Sequence, residues 1–167
     1  MSTSAGQVHL AGQEHFAGQV HVGASDINLA SLAVGDVVAQ RTVSFDRARL
    51  VRYAGASGDF NPIHWNPEFA RSVGLESVIV HGMLTMGAAV TLVEDWVGDP
   101  GRIVDYQTRF TRPISVPDTG QVQADITASI GALNVDDATV RVDLTVTVDG
   151  AKVLGKAQAL LSLAPAS

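Results

Sequence analysis

The run Gly82–Val97, GMLTMGAAVTLVEDWV, constrains the fold more than any other stretch of this chain. Met83, Met86, Val90, Val93 and Val97 form one apolar stripe at helical spacing, yet the opposite side, with Leu84, Ala88 and Leu92, is apolar too. A helix that is apolar all round is expected to be enclosed by the rest of the domain. The segments after it supply the cover. In QVQADITASIG the residues Val122, Ala124, Ile126, Ala128 and Ile130 alternate with polar ones, and in TVRVDLTVTVDG the residues Val140, Val142, Leu144, Val146 and Val148 do the same. Strict period-two patterning predicts antiparallel strands with one buried face. Asp149-Gly150 predicts a hairpin into AKVLGKAQALLSLA. RIVDYQTRFTRPI adds an earlier strand, ended by Pro113, and VGDVVAQRTVSF one before the helices. An enclosed helix and a sheet needing cover on one face are satisfied together if the sheet wraps the helix. The expected class is α+β: a single hot-dog fold, an antiparallel sheet around a long central helix.

Two shorter helices are expected between the first strand and the central one. FDRARLVRYAGASG (45–58) has Asp46 as its cap and closes on Gly55 and Gly58. NPEFARSVG (66–74) has Asn66 as cap, Pro67 in the first position and Gly74 at its end. Residues 1–32 read differently. AGQVHL AGQEHF AGQVHV places His9, His15 and His21 at steps of six, which matches neither a helix face nor common metal-ligand spacings. They are expected to form a flexible low-complexity extension, with residues 33–167 as the folded domain. A start at a downstream valine codon such as Val20 or Val22 is the other reading of the repeat.

Composition removes several functions. The chain has 167 residues, enough for one domain with a real core. Its net charge of −6 argues against a nucleic-acid partner, which needs a basic face. The absence of cysteine excludes thiolate nucleophiles and Cys-based zinc sites. The charge-free run Ser77–Val93 holds His81 and stops at Glu94-Asp95, short of the ~20 apolar residues of a spanning helix. A cytoplasmic protein without a membrane role is expected. At 46% hydrophobic residues, the chain also suits burial against a second copy or a related partner. Two such sheets joining edge to edge would dispose of an exposed edge strand.

The chemistry lies in GDFNPIHWN, residues 58–66. Gly-Asp and Asn-Pro are turn signals, and Asp59 and His64 are the residue types most used to move protons. Five residues apart across a proline turn, they can converge if the loop bends at Asn61-Pro62. Taken alone, the pair serves turn formation as readily as catalysis. Trp65 is expected to pack behind the loop. The second element is IVHGMLTMG. There the chain enters the central helix through His81-Gly82, and the first N–H groups of a helix lack internal partners. Gly82 allows a ligand carbonyl close to that backbone, while His81 reads as a satisfied structural histidine.

Together these elements resemble a known family. YAGASGDFNPIHWNPEFARSVGLESVIVHGMLTMG (53–87) is similar to the MaoC-like, R-specific enoyl-thioester hydratases and (3R)-hydroxyacyl-thioester dehydratases. Their signature is G-D-x-N-P-[LIV]-H, with an H-G-M helix entrance some 17 residues on. The catalytic β subunits of (3R)-hydroxyacyl-ACP dehydratases look most similar, through SGDFNPIHW and HGMLTMG. The resemblance implies reversible syn elimination of water from 3-hydroxyacyl thioesters, with no metal and no cofactor. It makes Asp59 and His64 the catalytic dyad, has Asn61 orient the loop and Gly82 polarise the thioester carbonyl, and lays the acyl chain near Met83 or Met86. The implied partners are acyl-CoA or acyl-ACP and a second hot-dog subunit, identical or related. Two other functions fit the fold: a non-catalytic acyl-binding subunit, which typically lacks the dyad, and a hot-dog thioesterase, which lacks the N-P-[LIV]-H loop.

Overall fold

The structure, a computed structural model, describes residues 27–164. The histidine repeat lies outside these residues. Within them the order is β1 (Val37–Asp46), α1 (Arg47–Ser57), α2 (Pro67–Ser72), α3 (Gly82–Val97), β2 (Ile103–Phe110), β3 (Gln121–Asn134), β4 (Thr139–Val148), β5 (Ala151–Lys152) and β6 (Leu154–Ser162). The strands form one antiparallel sheet ordered β1-β3-β4-β6-β2, with β5 pairing off β4. The central helix packs on β1, β2, β3 and β4. This is the hot-dog arrangement expected from the sequence. No helix among the described residues is long and apolar enough to cross a membrane.

Local chemistry sets the boundaries. The Asp46 carboxylate accepts the Arg49 N–H at 2.7 Å and so caps α1, which ends on Gly58 in the left-handed region (φ 76°). The Asn66 side chain accepts from Glu68 and Phe69 N–H at 3.0 Å each, with Pro67 in the first turn of α2. Gly98 stops α3 in the same left-handed way (φ 71°). Asp149 and Gly150, both at positive φ, turn the chain out of β4.

The core is the alternating face of the sheet against one side of the helix. Ala124, Ile126, Ala128 and Ile130 of β3 and Val140, Val142, Leu144 and Val146 of β4 are all buried. They meet Ala89, Leu92, Val93, Trp96 and Val97 from α3. In β6 the inward set is Leu154, Ala157, Ala159 and Leu161. Lys156, at φ 50°, supplies the irregularity that lets Leu154 and Ala157 face the same way despite their odd spacing. Packing extends ahead of residue 33: Ile27, Leu29 and Leu32 lie against the core.

One expectation is corrected here. The central helix is not enclosed: Met83 is 57% exposed, and Gly87, Thr91 and Asp95 are exposed in line with it. A single sheet covers one side of a helix, and among the described residues nothing covers the other. Met83 therefore belongs to an outer stripe and not to the core stripe inferred from spacing. Tyr106 of β2 pins the helix from the sheet side, its hydroxyl donating to the Met86 carbonyl at 2.9 Å. Burial pushes that phenol up to about 12.

Two substitutions test this account of the core and the caps. Ile126→Ala removes a side chain buried at the sheet–helix contact and should lower stability by ~2–5 kcal/mol. Asp46→Ala should cost ~1 kcal/mol through loss of the cap. Both should appear as lower urea midpoints at unchanged slope.

Candidate active site

The loop between α1 and α2 is folded by its own side chains. The Asp59 carboxylate accepts the Asn61 N–H, and the Asn61 side-chain oxygen accepts the Ile63 N–H, each at 3.2 Å. These are Asx-type turns, in which a short polar side chain replaces a backbone partner. Asn61 starts a single 3-10 turn, Pro62–His64. Trp65 closes the loop from outside, its indole N–H donating to the Phe60 carbonyl at 3.0 Å. Trp65 is 47% exposed, so it does not pack behind the loop as expected, but clips the loop's two ends together.

The loop rests on an extended segment, residues 77–80. Ile79 N–H donates to the Ile63 carbonyl at 3.1 Å, and the Ile79 carbonyl accepts from His64 Nδ1 at 2.7 Å. On its other side this segment pairs with residues 114–116: Val80 N–H donates to Ile114 (2.9 Å) and Val116 N–H to Val78 (2.8 Å). Arg47 locks the assembly to α1. Its guanidinium donates to the Pro117 carbonyl (3.0 Å) and the Ser77 hydroxyl (2.9 Å), and pairs with Asp118.

The result brings Asp59 and His64 together. A carboxylate oxygen of Asp59 lies 3.8 Å from His64 Nε2, with the histidine side chain 8% exposed and the aspartate 52%. That gap exceeds a direct hydrogen bond and suits one oxygen held between the two groups. The tautomer follows from the partners. A carbonyl only accepts, so His64 Nδ1 must carry the hydrogen bonded to Ile79, and in the neutral ring Nε2 presents its lone pair toward Asp59.

His81 sits beneath this pair. Its ring stacks on His64 with centroids 3.7 Å apart and planes 20° from parallel, and the Tyr53 ring meets it edge-on at 4.8 Å. His81 Nε2 donates to the Asp59 carbonyl at 3.2 Å, while its buried Nδ1 has no partner. The structural reading of His81 is thus satisfied at one nitrogen only. Burial holds its pKa below the ordinary 6.5. The hydrogen bond to the Asp59 carbonyl opposes that, and His64 adds to it.

Asp59, His64 and His81 offer ligand atoms within 4.8 Å of one another, the outline of a metal site. The geometry does not suit one ion. A histidine–metal bond of ~2.0–2.1 Å runs along a ring lone pair, in the ring plane. The two rings are stacked nearly parallel, so their in-plane directions do not converge within that reach. Two of their nitrogens are already committed to carbonyls. Asp59 and His64 are side chains able to pass protons across such a gap.

Beside His64 opens a cavity of about 380 Å³, lined by Gly82, Thr85, Ile79, Val80, Phe110 and Leu154, with Thr111 and Arg112 also on its wall. This falls within the ~300–1,000 Å³ usual for small-molecule sites. Gly82 brings the backbone close to Phe110: a Cβ there would lie 3.0 Å from the ring, which would have to shift by a few tenths of an ångström. The expected residues Asp59, His64, Asn61 and Gly82 thus cluster at the loop and the helix entrance. Met83 and Met86 are absent from the cavity wall. Spacing missed Ile79, which acts through its carbonyl, and the wall residues Thr85, Phe110, Val153 and Leu154. Of these only Phe110, a half-exposed aromatic ending a strand shortly before Pro113, left any trace in the sequence.

Two measurements follow. Two-bond proton–nitrogen spectra taken where His64 is neutral should show the Nδ1–H tautomer, and an Nε2–H signal would contradict the assignment. For His81 the folded ring binds a proton less readily than the unfolded one. Unfolding therefore takes up protons as pH falls through about 6.5, and stability declines toward acid. His81→Phe should remove part of that decline in urea titrations run below and above this pH.

The architecture matches known proteins. A solved MaoC-like dehydratase superposes with a TM-score of 0.80 at 33% identity, covering 85% of this chain and 44% of that one. The 3-hydroxyacyl-thioester dehydratase X of Mycobacterium tuberculosis is 42% identical over 72 residues, 43% of this chain and 25% of that protein. The (R)-specific enoyl-CoA hydratase of Aeromonas caviae is 34% identical over 99 residues, 59% of this chain and 73% of that one. The chain spans only about a quarter of the mycobacterial dehydratase, and 27% and 56% of two other relatives it matches. The MaoC-like domain family matches residues 30–148, the stretch that holds the loop, the helix entrance and most of the sheet, and this chain belongs to that family.

Proposed function

We propose that this chain catalyses the reversible hydration of trans-2-enoyl thioesters to (3R)-3-hydroxyacyl thioesters, with Asp59 and His64 as a dyad and the first turn of α3 as an oxyanion hole. One observation carries the reading. The Nε2 lone pair of His64 and the Asp59 carboxylate face each other at 3.8 Å beside the cavity that Gly82 also lines.

In the hydration direction a water sits between the two groups. Its oxygen adds to C3 while the dyad takes one of its protons, and the dyad delivers a proton to C2. One water enters and the thioester keeps its charge. Because donor and acceptor occupy one side of the substrate, the addition is syn. Negative charge develops on the thioester oxygen during the step. The unpaired N–H groups of the first helical turn suit that oxygen, and each such donor contributes ~2.7–4 kcal/mol to the transition state. Asn61 shapes the loop by capping it and stays outside the proton path. The acyl chain runs between Ile79, Val80, Thr85 and Leu154 instead of along Met83 and Met86. The thioester carrier is coenzyme A or acyl carrier protein.

The working unit is a pair of hot-dog subunits, identical or related. The uncovered helix stripe and the half-exposed Phe60, Phe69 and Phe110 support this, as does the match to a chain nearly twice as long.

Purified chain should hydrate trans-2-enoyl-CoA, and Asp59→Asn and His64→Ala should each cost at least ~10²–10⁴-fold in kcat with an unchanged circular dichroism spectrum. Activity surviving in both variants refutes the dyad. Silence of the chain alone, relieved by a related hot-dog subunit, identifies a heterodimer.

A further inference from the structure

The histidine at the helix entrance takes no part in the steps above, yet it touches both groups that do. His81 is 1% exposed. Among the described residues, the titratable groups that face it are His64, Asp59 and Tyr53. Its Nε2–H holds the main-chain carbonyl of Asp59 at 3.2 Å, and its ring face lies on His64 at 3.7 Å. Half of the dyad needs this support. Asp59 is exposed, sits next to Gly58 in the left-handed region, and is otherwise steadied only by local turns. His64 is already fixed by Ile79.

We propose that His81 is a positioning residue for the hydration step, tethering the Asp59 backbone so that its carboxylate keeps station opposite His64. The proposal rests on the function given above. The tether demands one tautomer. A carbonyl only accepts, so Nε2 must carry the hydrogen, which in the neutral ring leaves Nδ1 as the unpartnered lone pair. Burial favours the same uncharged form, so the ring presents no positive charge to His64 when that residue takes up a proton. Thr85 and Leu84 complete the anchor from the other end, their N–H groups both donating to the His81 carbonyl, at 3.1 and 3.0 Å. The helix entrance thus fixes the ring, and the ring fixes the aspartate.

The test compares His81→Phe, which keeps an aromatic disc against His64 but removes the N–H, with His81→Gln, whose amide places a donor where Nε2 was. The Phe variant should lose on the order of 10- to 100-fold in kcat, as expected for sub-ångström misplacement of a reacting group, with KM little changed. The Gln variant should recover several-fold of that loss. A folded Phe variant with undiminished kcat overturns the proposal, and so does a Gln variant no better than Phe. If neither variant folds, nitrogen spectra of the wild-type enzyme decide. An Nε2–H, uncharged His81 at neutral pH upholds the tether, and an Nδ1–H or charged ring ends it. Wild-type chain inactive on every enoyl thioester, both alone and with a related hot-dog subunit, would instead overturn the proposed function, whatever the spectra show for the tether.

Discussion

The site depends on a short extended segment, residues 77–80, hydrogen-bonded on both edges. One edge takes the loop, through Ile63 and the His64 ring, and the other takes residues 114–116. Alternation does the work. In extended backbone, successive residues turn their polar groups to opposite sides, so Ile79 serves the loop while Val78 and Val80 serve the far neighbour. The side chains of Val78 and Val80 are buried, as are those of Ile114 and Val116. Apolar anchorage and polar presentation are thus built from the same four residues. The segment then runs straight into α3, so the loop, the helix entrance and the cavity share one support.

That shared support explains how an exposed acid and a buried base can be held in register. His64 is fixed by a main-chain carbonyl, which cannot change its hydrogen-bonding sense. Asp59 keeps solvent access. The pair therefore differs in environment as well as in type. Arg47, bonded to Ser77, Pro117 and Asp118, extends the support to the start of α1. The domain's first helix is in this way tied to the same few ångströms of backbone.

Much of this was legible from the sequence, for physical reasons that differ along the chain. Asp46, Asn66, Gly58 and Gly98 act on their own neighbours, so the helix ends could be placed from them. The alternation in β3 and β4 was unambiguous because one face is buried throughout. Residues 82–97 gave the opposite lesson: a helix apolar on every side carries no record of which side is covered, and Met83 was assigned inward when it lies outward. The convergence of Asp59 and His64 could be suspected from the Pro62 turn, but Asp and His in a turn-rich loop are ambiguous until a second element joins them. The His81–His64 stack links residues 17 apart through tertiary packing, and no spacing rule anticipates it. The cavity wall draws on α3, β2 and β6 at once and leaves no local pattern.

Lys156 has a wider consequence for the last strand. A non-glycine residue at φ 50° puts an odd step into β6: Leu154, which also lines the cavity, and Ala157, Ala159 and Leu161 are all buried on one face although Leu154 and Ala157 are three residues apart. Counting residues across that point by simple alternation sends every position on one side to the wrong face. A single-residue deletion there would leave Leu154 and Ala157 two apart, in ordinary alternation, and both could still face the same way. A deletion within the regular stretch from Ala157 to Leu161 would instead send every position on one side of it to the opposite face, while leaving the composition of the strand almost untouched. The length of this strand, more than the identity of Lys156 itself, is what joins the end of the sheet to the site.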